Sequence, residues 1–137
     1  MNHWSDRYIG KPWEAYASGP DSFDCWGLVH HVLQDVFKVS GIARYLDVAT
    51  NDPLKFHDAV LLEVQSGHWR SIPTSRPGAV VLMGRTRVFS HVGIVAQGVV
   101  LHCREGVGVC RESLPALGVL GFRMLEFWVH DGLNCDS

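Results

Sequence analysis

No stretch of the 137-residue chain stays apolar for the ~18 residues a membrane span needs; even Gly78 to Gly84 is short and bounded by glycines. Lysine and arginine never form a block, and a net charge of −2 leaves no basic field for nucleic acid. There is no Cys-x-x-Cys pair. The cysteines at 25, 103, 110 and 135 are too unevenly spaced for a disulfide framework, which argues for a reduced protein. The opening Met1-Asn2-His3-Trp4-Ser5-Asp6-Arg7 has neither a basic region nor an apolar one, so manufacture in the cytoplasm without a secretory signal is expected. Repeats, low-complexity tracts and linkers are absent as well, and one domain over residues 1–137 is expected. What is present is core material: 47% of residues are hydrophobic, which excludes intrinsic disorder.

Met1 to Asp24 reads as a short helix or turn followed by an irregular loop, being rich in turn formers and aromatics. A helix then begins at Cys25. Leu28, Val29, Val32, Leu33, Val36 and Phe37 recur at the spacing of a buried stripe, and Asp24 is placed to cap the Gly27 amide. Asp52-Pro53 announces a second helix, running through Leu54, Ala59, Val60, Leu61 and Val64 to Gly67. From Ser75 onward the pattern is that of strands, at 79–83, 88–96, 99–103, 107–111 and 122–129. Helices followed by strands predict an α+β fold, with N-terminal helices packed on a mainly antiparallel sheet.

Cys25, His91 and His102 carry the chemistry. Cys25 continues the buried stripe at the first turn of its helix, so its sulfur points toward the sheet. The free amides there would favour a thiolate or receive an oxyanion. A thiol so placed is expected to react well below pH 8. Gly27 would let a substrate backbone approach. A hairpin turning on Gln97-Gly98 sets Gly93 opposite His102 and puts His91 and His102 on one face as diagonal neighbours. Gly93 would leave the space between the rings clear. In this set Cys25 is the nucleophile, His91 the base and His102 the group that orients it.

The segments Phe23-Asp24-Cys25-Trp26-Gly27-Leu28-Val29, Arg76-Pro77-Gly78-Ala79-Val80-Val81-Leu82, Ser90-His91-Val92-Gly93-Ile94-Val95 and Val100-Leu101-His102 follow one another in order. Together they resemble the NlpC/P60 cysteine peptidases. Trp26 and the opening Tyr8-Ile9-Gly10-Lys11-Pro12-Trp13 resemble the branch found in phage tails and prophages. The resemblance implies a reduced papain-like α+β fold that hydrolyses an isopeptide or D,L-peptide bond in peptidoglycan stem peptides. It implies Cys25, His91 and His102 as the catalytic residues, with Tyr8 beside the cysteine. Tyr8, Asp24, Trp26 and Ser90 are the residues expected to meet the substrate. Peptidoglycan peptides, and phage tail proteins, are the implied partners. Two alternatives share the fold: a catalytically silent tail component, and a thiol amidase or acyltransferase whose acyl-enzyme is intercepted by an amine or alcohol.

The other candidates read as structural. His30 and His31 fall on the polar side of their helix, and His3, His57, His68 and His130 are expected at the surface. Cys103 should point into the core, Cys110 likewise, and Cys135 belongs to the chain end. Zinc on His91, His102 and Cys25 or Cys103 would have suitable donors, but the spacing matches no standard finger. No metal or other cofactor is therefore expected.

Overall fold

The computed structural model describes residues 3–43 and 52–133, so Cys135 lies outside the described residues. A 3-10 turn (Trp4–Arg7) precedes an irregular strap that leads into helix α1 (Cys25–Asp35). Leu28, Val29, Val32 and Leu33 of α1 are wholly buried, each worth ~1.5–3 kcal/mol of transfer free energy. Helix α2 (Pro53–Val64) follows, with the Asp52 carboxylate accepting from the N–H groups of Leu54 and Lys55.

Six strands form one antiparallel sheet: β1 (Trp69–Ile72), β2 (Val80–Gly84), β3 (His91–Val95), β4 (Val100–Arg104), β5 (Gly108–Glu112) and β6 (Met124–His130), in the order β1-β6-β2-β3-β4-β5. A short helix α3 (Leu114–Val119) joins β5 to β6, and α1 packs on β3 and β4. Strand β2 is buried at every position, β3 at all but His91, and β4 at all but Arg104, as expected of central strands covered on both faces. Among the described residues no helix is long and apolar enough to cross a membrane.

The α+β architecture agrees with the sequence pattern, but two elements were not anticipated. Strand β1 is a four-residue edge strand whose Arg70 and Ser71 are exposed, so little apolar alternation marks it. Helix α3 is six residues long and contains Pro115 and Gly118, although Ser113 does cap it through the Ala116 N–H. Strand β3 is also shorter than expected. Val88 to Ser90 form a loop in which the Phe89 N–H donates to His57 Nδ1 at 2.8 Å, and the His57 ring stacks on Phe89. His57 is thus a packing residue rather than a free surface one. His30 and His31 are half-buried as well, hydrogen bonded to the carbonyls of Ile42 and Ser18.

Candidate active site

Asp24 Oδ1 accepts the Gly27 N–H at 2.6 Å and fixes the start of α1, so Cys25 stands in the first helical turn. The side on which α1 enters follows from Cys103. Alternation turns Cys103 away from His102, and its S–H donates to the Phe23 carbonyl at 3.2 Å. The approach to α1 therefore lies on the sheet face opposite His102. The β3–β4 ladder stops at the Gly93–His102 pair. The backbone N–H of Val92, one residue beyond that pair, lies close enough to the Cys25 sulfur to favour its thiolate, as does that of Trp26.

On the other face the hairpin register is the one the alternation predicts: Gly93 faces His102, and Ala96 N–H bonds the Val99 carbonyl. His91 Nε2 and His102 Nδ1 lie 2.9 Å apart. His102 is fully buried. The His91 ring also stacks on Phe122, with centroids 5.5 Å apart and planes 13° from parallel, and the Arg85 guanidinium lies over the Phe122 ring, 4.2 Å from its centroid. Phe122 is a residue that sequence reasoning missed as a guide for His91. Gly93 has a different role from the one expected. A Cβ there would meet Val100 Cγ1 at 2.7 Å and the Leu101 carbonyl at 2.9 Å, so glycine permits close packing between β3 and β4 rather than clearing room between the rings.

Two further residues stand behind His102. Cys110 is its direct partner in the β4–β5 ladder and therefore shares its face, which corrects the expectation of a core cysteine. Cys110 Sγ lies 3.5 Å from His102 Nε2, and Glu112 Oε1 lies 4.0 Å from the same nitrogen. Both neighbours can accept a proton donor, which favours His102 with its hydrogen on Nε2 and a lone pair on Nδ1. His91 then donates through Nε2–H and keeps Nδ1 as a free base.

The site is neutral at rest. Burial pushes the Cys25 thiol up to about 12, aided by the Asp24 charge and opposed by the Trp26 and Val92 N–H groups. This corrects the expected thiolate: one helix end does not offset the desolvation of the sulfur. Burial also pulls His91 well below the usual imidazole value, with His102, Arg85 and Arg104 adding to the effect. His102 is lowered to about 4 by burial and by Arg104. Among the described residues no hydrogen bond joins Cys25 to His91 directly.

No protein-family model matches the sequence, and no curated protein matches it. Solved structures do. The NlpC/p60 domain of the peptidoglycan hydrolase SagA superposes with a TM-score of 0.60 over 91% of each chain, at 21% identity. The fold is that of an NlpC/P60 domain. NlpC2 and NlpC1 from Trichomonas vaginalis share it, with TM-scores of 0.55 and 0.54 and identities of 19% and 18%; 91% of this chain matches 43% and 40% of theirs.

Within this NlpC/P60 fold the residues expected to meet the substrate are placed as follows. Tyr8 is buried and its hydroxyl donates to Asp35 Oδ2 at 3.2 Å. Asp35 ends α1, about 15 Å from Cys25 at the helical rise per residue, so the hydroxyl is not beside the sulfur. Trp26 is 1% exposed and its indole N–H donates to the Ala43 carbonyl, which makes it a core residue that meets the sulfur through its backbone amide. Asp24 is buried too, with Oδ1 on Gly27 and Oδ2 on the Tyr16 N–H, so it is a cap and not a substrate contact. Ser90 is half-buried beside His91, its N–H on the Met83 carbonyl. Gly27 yields to this chain's own strap rather than to a substrate: a Cβ there would collide with the Ala17 carbonyl oxygen.

Proposed function

We propose that the protein is a cysteine peptidase that cleaves peptide bonds in peptidoglycan stem peptides, with Cys25 as nucleophile, His91 as base and His102 as its positioning partner. The observation that carries this reading is the 2.9 Å bond from His91 Nε2 to His102 Nδ1, with Cys25 at the start of α1 and the Val92 N–H, next to His91, favouring its thiolate. The bond leaves His91 Nδ1 as the nitrogen able to take the thiol proton.

Because both groups start neutral, proton transfer accompanies attack. The Cys25 sulfur adds to the scissile carbonyl while its proton passes to His91 Nδ1, and the lone pair of His102 Nδ1 steadies the imidazolium that forms. The Cys25 backbone N–H, which neither Asp24 nor the sulfur claims, receives the oxyanion. His91 then protonates the leaving amine, and a thioester remains until water, activated by the same imidazole, releases the acid. Ser90, next to His91, is the remaining candidate for a substrate contact.

The finer reading is an endopeptidase of the D,L type associated with a phage or prophage tail, which would carry a protein made in the cytoplasm to the wall. Incubation with purified muropeptides, followed by mass spectrometry, tests it. Two fragments whose summed mass exceeds the substrate by one water, absent with Cys25→Ala, are expected. Unchanged muropeptides from pH 5 to pH 9 would overturn the reading. The neutral, half-buried thiol favours one competitor, a silent tail component of the same fold. That competitor predicts no thioester on Cys25 and no change in muropeptide mass when the folded protein and muropeptides are mixed and followed by mass spectrometry.

A further inference from the structure

His102 Nε2 faces two metal-binding side chains, Cys110 and Glu112, that set its tautomer but take no part in the bond-making steps of the proposed reaction. Nε2, Cys110 Sγ and a Glu112 carboxylate oxygen all lie within 4.8 Å of one another, with His102 buried and the other two half-buried and open to solvent. The ladder builds this cluster: Cys110 faces His102, and Glu112, two residues on, shares its face. A tetrahedral zinc with bonds of about 2.1 Å to nitrogen and 2.3 Å to sulfur needs a nitrogen–sulfur edge of about 3.6 Å. The observed edge is 3.5 Å. The nitrogen–oxygen edge, 4.0 Å, closes with a small turn of the Glu112 side chain. Imidazole, thiolate and carboxylate are zinc donors, and three of them leave a fourth position for water. Arg104 lies near His102 and Cys110 and opposes a cation there. The Cys110 thiolate and the Glu112 carboxylate together cancel the charge of the ion, so the occupied centre presents no net charge to Arg104.

We propose that His102, Cys110 and Glu112 form an inhibitory zinc site that inverts the His91–His102 hydrogen bond. The inhibitory half rests on the peptidase reading; the binding half does not. Zinc takes the Nε2 lone pair, so neutral His102 must carry its proton on Nδ1 and donate to His91 Nε2. His91, still neutral, then bears its proton on Nδ1, where the thiol proton would have to go. The proton ledger closes: Cys110 and His102 Nε2 each release one, His91 Nδ1 gains one, and one leaves to solvent.

The test separates binding from inhibition. In Cys25→Ala protein, cobalt(II) should give a sulfur-to-metal charge-transfer band that added zinc removes and that Cys110→Ser abolishes. Imidazole nitrogen spectra of the same protein should show the His91 proton move from Nε2 to Nδ1 when zinc is added. With active protein, zinc should lower kcat for a muropeptide without raising KM. Cys110→Ser and Glu112→Gln, each compared with its own zinc-free rate, should raise the half-inhibitory concentration by about tenfold or more. No cobalt band, a band that survives Cys110→Ser, or a His91 proton that stays on Nε2 would overturn the site. Inhibition that persists undiminished in Cys110→Ser would assign it to Cys25 and overturn the regulation. A wild-type protein inert toward muropeptides would remove the peptidase reading, while the cobalt and nitrogen spectra would still decide the metal site.

Discussion

Cys25 and His91 are held as an uncharged pair, and their protonation has direct consequences. The His91 imidazole, drawn well below 6.5 by burial, His102 and two arginines, stays a free base in mild acid. We therefore expect the acid limb of kcat/KM, measured with chelator present, to fall below pH 6.5 rather than at it. A limb centred at or above 6.5 would contradict the burial of that ring. The thiol, pushed up to about 12, should alkylate at a rate that keeps rising with pH beyond 9, with no plateau near neutrality. Removing the partner ring has a larger effect. His102→Ala leaves the His91 tautomer unset, and kcat should drop by about 10²- to 10⁴-fold with KM little changed. Circular dichroism would show whether that variant keeps its fold.

At the scale of the element, the start of α1 fixes the position of the sulfur. The Gly27 α-carbon lies so close to the Ala17 carbonyl that Gly27→Ala must displace either the strap or the helix. A loss of roughly 1–3 kcal/mol is expected, seen as a lower midpoint in urea with an unchanged slope. Asp24→Asn keeps a cap oxygen for Gly27 but removes the negative charge that helps hold the thiol protonated. Its Cys25 should alkylate faster at pH 8 than wild type, at some cost in melting temperature. Elements with strong local grammar were legible in the sequence: Asp24 and Asp52 as caps, the α1 stripe, and the register about Gln97-Gly98. The same alternation applied to the next hairpin leads to Cys110, since Arg104 and Gly108 close its turn. That signal was present and unused. By contrast, nothing local marks Tyr8 or Trp26 as core, because their burial depends on which distant surfaces fold over them.

For the molecule as a whole, two histidines kept without charge, one fully buried and one half-buried, are a liability in acid. An unfolded imidazole takes up its proton near 6.5, whereas folded His102 resists until about 4. The unfolded state thus binds more protons in that interval, and stability falls as pH drops from 6.5 toward 4. His102 alone accounts for roughly 3 kcal/mol of this, and His91 acts in the same direction. Thermal melts in chelator should show the decline, and His102→Gln should flatten its slope; a melting temperature level down to pH 4 would refute the linkage. The α+β class was legible because helices and strands occupy separate stretches of chain. The side from which α1 approaches was not, because alternation ranks residues by face without saying which face another element will cover. That geometry has its own consequence. The start of α1 approaches one face of the sheet while His91 and His102 share the other, and the β3–β4 ladder ends at the Gly93–His102 pair. One more rung, joining Val92 to Cys103, would claim the Val92 N–H for the ladder and take from the thiol a donor that favours its charged form, so the most regular form of this sheet would be its least reactive one.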